Sequence, residues 1–188
     1  SFDTMNLVAG SNPVYGLNAL GGALALKTRT GFSSQGGSLD LTAGSYDTRD
    51  IGFTQGGNNG TWGYFIAVET MEEDGWRDFS QSDATNAYGS ISWHGADQEL
   101  DLFFNVGDSS LRGNGAVPLD LLNEDRASVF THPDITENEL TMASVSYRRY
   151  LDAGTELSVN GFVRQLEVNS FNGDGTEFEE CGEDDDDD

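Results

Sequence analysis

The sequence predicts an all-β chain of antiparallel strands, of the kind that crosses a membrane as a barrel. Three observations carry this. Apolar and polar residues alternate with period two through about seven segments, the signature of strands with one apolar and one polar face. Tight turns alternate with long polar connections, so one end of the sheet is trimmed and the other elaborated. Glycine is abundant (24) and proline scarce (3) among 188 residues, a balance suited to long strands joined by tight turns.

Taken in order, the chain opens with "MNLVAGSNPVYGLNALGGALALKTRTG", residues 5–31. Its apolar run, 17–26, is too short for a membrane helix, which needs about 20 residues. Nor does it form a phosphate loop, because Leu26 stands where a glycine must precede Lys27. Gly113 and Gly115 are followed by Pro118 and not by a third glycine opening a helix, which excludes a dinucleotide fingerprint. Strands are expected near 37–46, 49–57, 61–73, 84–94, 98–108, 138–150 and 155–169. In the first, Leu39, Leu41 and Ala43 alternate with Ser38, Asp40 and Thr42; in the third, Trp62, Tyr64, Ile66 and Val68 share a face. In the fourth, Ala87, Gly89, Ile91 and Trp93 oppose Tyr88, Ser90, Ser92 and His94. Leu100, Leu102, Phe104 and Val106 continue the pattern, as do Ala143, Val145 and Tyr147, and then Leu157, Val159 and Val163. No segment of comparable length has a helical period.

The connections separate two all-β architectures. Asn58–Gly60, Gly95–Asp97 and Asp152–Gly154 read as tight hairpin turns, whereas 74–83, 109–137 and the stretch from 170 onward are long and polar. Only the connection at Asp47 and Thr48 is short out of turn. A soluble sandwich has strands of about 5–6 residues and no reason to gather long loops at one end. A membrane barrel has strands of about 9–11 residues, short turns on one side and long loops on the other. Tyr46, Trp62, Tyr64, Trp93, Tyr147 and Tyr150 fall near expected strand ends, where interfacial aromatics belong.

The charge excludes some functions. With 33 acidic and 9 basic residues the net charge is −24, which is unsuited to nucleic acid, whose affinity comes from cationic side chains. Nine of the acidic residues lie between Glu177 and Asp188, and removing them still leaves −15. His94 and His132 are the only histidines and have no partner at metal-ligand spacing. There is no G-x-S-x-G elbow, and Cys181 sits in an acidic tract that disfavours a thiolate. Neither a catalytic residue nor a cofactor is expected. The acidic stretch 173–188 contains carboxylates, Asp184, Asp185 and Asp186 among them, of a type that suits hard cations. A solvated loop is the favoured reading of such a run. No basic region followed by an apolar core stands near Ser1, so no signal peptide is expected in this stretch.

The opening segment resembles the end of the plug domain of TonB-dependent outer-membrane receptors. The likeness lies in an apolar strand, Gly10, a polar turn ending in Tyr15–Gly16, then Ala19, the pair Gly21–Gly22, and a β-rich segment closing on Lys27, Thr28 and Arg29. "GGSLDLTAGSYDTRDIGF" (36–53) looks like the first barrel strands of that family, and "LLNEDRASVFTHPDITEN" (121–138) like one of its loops. The resemblance implies that 1–31 ends a plug and that 32–188 supplies about seven strands of a 22-stranded barrel. The chain is then an internal fragment that does not transport alone. It also implies a bacterial outer-membrane location in contact with lipid, energy coupling to the TonB complex through a missing N-terminal part, and uptake of a small molecule or metal chelate such as an iron–siderophore complex. On the same basis Asn12 and Tyr15 of the plug, and Trp76, Arg77 and Arg112 of the loops, are candidate ligand contacts, and Cys181 would pair with a cysteine later in the full receptor. The alternative is a soluble or surface-exposed acidic β-sandwich that binds carbohydrate or protein.

Overall fold

The computed structural model describes residues 2–10, 21–113, 115–152 and 154–173. Two sheets make up the described part. Strands β1 (Phe2–Ala9) and β2 (Gly22–Thr28) form an antiparallel hairpin, with Met5 opposite Leu26 and Leu7 opposite Leu24. The second sheet holds β3 (Gly36–Ala43), β4 (Arg49–Asn58), β5 (Trp62–Glu73), β6 (Ser82–His94), β7 (Gln98–Arg112), β8 (Asp134–Asp152) and β9 (Thr155–Asn172). Their order is the chain order, every neighbour antiparallel. The all-β expectation holds at this level.

Three details differ from the sequence reading. β3 stops at Ala43, because the chain turns between Gly44 and Thr48: the Gly44 N–H donates to Thr48 O at 2.9 Å, and Tyr46 and Asp47 take positive φ. Tyr46 is therefore a turn residue, not a strand-end one. β7 and β8 reach well past the expected limits at their long-loop ends. Residues there, such as Ser109, Ser110, Glu137 and Asn138, are polar on both faces, so alternation had nothing to reveal. The long connection between β7 and β8 also contains one short helix, α1 (Leu119–Glu124), too brief to display a period.

Around β5 and β6 the seven-stranded sheet buries the face opposite to its outward apolar one, while on β9 the same face leaves Phe162, Leu166 and Val168 exposed. Along β5, Phe65 is 1% exposed, whereas its neighbour Ile66 is 46% exposed. Phe65, Ala67 and Tyr88 form the small core, with Phe103 packed against them. We call this the inner face. On the outer face Leu39, Ile51, Tyr64, Ile66, Ile91, Phe104, Val159 and Val163 are all exposed, from 45% at Tyr64 to 69% at Val163.

Residues 29–34, between β2 and β3, cover the inner face of β4–β6. The Tyr88 hydroxyl donates to the Arg29 carbonyl at 2.7 Å, Ser90 Oγ donates to the same oxygen at 3.3 Å, and Asn58 Nδ2 donates to Gly31 O at 2.8 Å. Phe32 stacks on His94 with ring centroids 3.8 Å apart and planes 8° from parallel. Gly31 is buried, and a Cβ there would collide with the backbone of Gly57 and Tyr64. Across the contact, a Cβ on Gly63 would lie 2.9 Å from the Phe32 ring. Bare backbone on both sides is what allows so close an approach.

Candidate functional site

Three surfaces have the makings of a site: the outer face, a chamber on the inner face, and the cap formed by the long connections.

On the outer face the apolar residues cross the hydrogen-bonded rungs obliquely. The rung that begins at Leu41 runs through Ile51, Thr70, Thr85, Asp108, Glu139 and Glu167. It is apolar on two strands, carries hydroxyls on the next two and carboxylates on the last three. A rung nearer the tight turns runs through Trp62, Trp93, Leu100, Tyr147 and Val159. On β9 the outward apolar residues Leu157, Val159 and Val163 lie short of Glu167, and Phe171 stands apart beyond it. The edge of the contiguous apolar band therefore slides by four residues over the six strand steps from β3 to β9. With a rise of about 3.3 Å per residue and a strand spacing of about 4.8 Å, this sets the strands about 25° from the normal to the band. Along β5 the band runs from Trp62 to Val68, about 20 Å of strand.

The inner chamber has a volume of about 620 Å³ and lies between the hairpin end with its following segment and the inner face of β6–β9. Its walls carry Lys27, Thr30, Phe32, His94, Glu99, Asp101, Ser146, Arg148 and Asn160. His94 Nε2 lies 3.7 Å from Asp101 Oδ1. Arg148 donates to Glu99 at 3.0 Å and lies 3.1 Å from Glu156. Basic and acidic side chains thus line the chamber together, and Arg148 is held by two carboxylates, Glu99 and Glu156. Beside it Ser92 is fully buried, with no hydrogen-bond partner for its hydroxyl.

At the other end the long connections form a tied cap. The Asp74 N–H donates to Tyr46 O, and the Asp78 N–H donates to Ala127 O, each at 2.9 Å. Arg77 donates to the Ser128 carbonyl at 3.1 Å and lies 5.5 Å from the centre of the Trp76 ring. Phe79 stacks on His132 at 4.1 Å. These links hold Trp76 half exposed beside a guanidinium whose direction is fixed by Ser128. Under the cap a cleft of about 300 Å³ is lined by Asp47, Arg49, Glu72, Glu73, Asp74 and Asp83. Arg49 is already paired with Asp47 at 3.0 Å. Among the described residues no group of three or more His, Cys, Asp and Glu side chains is placed to hold a metal ion.

Of the residues singled out from sequence, Trp76 and Arg77 are brought together, while Arg112 lies at the end of β7, paired opposite Ile135, with its backbone N–H 3.4 Å from Ser82 Oγ. Asn12, Tyr15, Cys181, Asp184, Asp185 and Asp186 lie outside the described residues. Gly31, Phe32, Asn58 and Tyr88 escaped the sequence reading as a group. Their one signal was Tyr88, a tyrosine on the face it shares with Ser90, Ser92 and His94. No protein-family model matches the chain, and no curated protein matches it.

Proposed function

We propose that this chain is part of an outer-membrane β-barrel receptor of the TonB-dependent kind, with residues 1–31 ending its plug and 32–188 supplying about seven strands of a larger barrel. The observation that carries the reading is the outer face. An apolar band that remains exposed, and that crosses the hydrogen-bonded rungs obliquely, suits tilted strands that face lipid. The Trp62–Trp93–Tyr147 row at the tight-turn margin suits an interfacial aromatic girdle. The β-sandwich alternative requires a second sheet over these apolar residues. The only other sheet among the described residues, β1–β2, lies toward the inner face, where Phe2 and Thr28 share a cavity with Tyr88 and Asn105.

Within this reading the outer edges of β3 and β9, unpaired among the described residues, are continued by further strands, because an open edge in lipid leaves backbone groups without partners. The role is binding and energy-coupled uptake of a scarce small molecule or metal chelate, such as an iron–siderophore complex, and not catalysis. Trp76 and Arg77 of the cap, with Arg112 and with Asn12 and Tyr15 of the plug, are the proposed ligand contacts. Lipid surrounds the barrel, and the TonB complex acts through a part of the plug outside this chain.

Fractionation tests this directly. An immunoblot for the native polypeptide is expected to find it in the outer membrane, at a mass several times the 20.3 kDa of this chain. A soluble band of about that mass would overturn the proposal and favour the sandwich.

A further inference from the structure

The floor of the inner chamber is one rung of the sheet. Ser92, Asp101, Ser146 and Asn160 are successive register partners on β6, β7, β8 and β9, all on the inner face. Phe103 stands on the long-loop side of this polar rung, and His94, Glu99 and Arg148 form the rung on its tight-turn side. Several of the chamber's groups are already engaged: Arg148 by Glu99 and Glu156, and the His94 ring by its stack on Phe32. Others have nothing to bind. Asp101 Oδ1 is buried without a hydrogen-bond partner, His94 Nε2 being 3.7 Å away, and on the neighbouring strand Ser92 Oγ is equally unsatisfied at 0% exposure. Ser146 and Asn160 line the chamber with side chains that make no hydrogen bond among the described residues, and Lys27, on the hairpin side, has no carboxylate partner among them. Polar atoms buried in this state are costly unless something comes to satisfy them.

We propose that the chamber binds a zwitterionic ligand of dipeptide size, its ammonium group on Asp101 and Ser146, its carboxylate on Lys27, and an apolar side chain against Phe32 and Phe103. One free charge of each sign, on facing walls, suits a ligand that carries one of each. A purely anionic ligand would bring its charge against Asp101 and Glu99, and a purely cationic one would leave Lys27 without a partner. An ammonium has three donors, and the Asp101 carboxylate, the Ser146 hydroxyl and the Asn160 amide oxygen offer acceptors on three consecutive strands. The volume of about 620 Å³ lies within the range of small-molecule sites, about 300–1,000 Å³. This site stands at the tight-turn end of the sheet, the opposite end from Trp76 and Arg77. It goes beyond the proposed uptake role and does not rest on the membrane reading.

Isothermal titration of the purified full-length polypeptide with L-alanyl-L-phenylalanine tests it, alongside the N-acetylated and the C-amidated forms of the same dipeptide. Saturable binding of the free dipeptide is expected, with each blocked form weaker by about tenfold or more, the loss of one charge-assisted hydrogen bond. Asp101→Asn should weaken the free dipeptide to a similar extent and leave the N-acetylated form no weaker. Lys27→Met should weaken the free dipeptide and leave the C-amidated form no weaker. A loss of structure would not match each variant to one blocked terminus in this way. Absence of saturable binding by the free dipeptide would overturn the proposal, as would blocked forms that bind as well as the free one, or variants that weaken all three forms alike. Should Asp101→Asn fail to fold, Lys27→Met with the two blocked forms still decides it. Where the polypeptide fractionates has no bearing on the outcome.

Discussion

Phe65 and Ile66 are neighbours on one strand, and the sheet treats them in opposite ways. Phe65 is sealed beneath a segment of its own chain, while Ile66 and the residues beside it have nothing over them. The inner face is held by specific contacts: two carbonyls, four side chains and a glycine with no spare room. Over the outer band, among the described residues, no segment of the chain is laid down, and Ile66 and Ile91 stay exposed. Burial by this chain explains the first and cannot explain the second. The two faces therefore answer to different partners, and substitutions should tell them apart.

The largest difference is expected at Ile91, in the middle of the outer band. Replacing it with arginine should cost roughly 2–4 kcal/mol if the site lies near a bilayer midplane, read as a lowered midpoint in urea unfolding from vesicles. A near-neutral result would mean that this face meets water. On the inner face, Gly31→Val forces a side chain against the Gly57 and Tyr64 backbone. Overpacking of this kind costs about 1–3 kcal/mol, and here it should also loosen residues 29–34, raising their amide exchange. Unchanged exchange would contradict the tight seating of Gly31. Asn58→Ala removes only the donor to the Gly31 carbonyl and is expected to cost about 1 kcal/mol, with the same exchange readout at lower amplitude.

The smallest effect belongs to the outer face beyond the band. Asp108, Glu139 and Glu167 are direct register neighbours on β7, β8 and β9, and like charges directly opposite are destabilising. Glu139→Gln should stabilise the protein, by less than about 1 kcal/mol, and the gain should shrink as salt is raised. A loss of stability would mean that the three carboxylates are satisfied by something that bridges them.

How much of this was legible in the sequence depends on the face. Alternation marked Leu39, Ile66, Ile91 and Val159 as one surface, because a period of two survives wherever one side is apolar and the other polar. It failed beyond the band, where β7 and β8 carry polar residues on both sides, and it missed α1, which is shorter than two turns. The seating of residues 29–34 on the inner face was hidden for another reason. It depends on pairs such as Arg29 with Tyr88, and on Gly31 meeting Gly57 and Tyr64, contacts that no local pattern encodes. Tyr88 stood out among serines, but only the fold says what it holds. Of the candidate ligand contacts, Trp76 and Arg77 are adjacent in sequence, so their proximity was never in doubt; what the sequence concealed is the Ser128 carbonyl that aims the guanidinium.

The anchoring of Arg29 has a consequence for the order in which the chain assembles. Tyr88 and Ser90 lie 59 and 61 residues further along the chain, and the seat for Gly31 exists only once β4 and β5 are paired. The segment that comes early in the sequence must therefore wait for later strands to build its berth, since contacts of long sequence separation form only after the intervening chain is organised. Loosening it should then speed unfolding and leave the rate of refolding nearly unchanged. Its first residues would be among the last to come to rest.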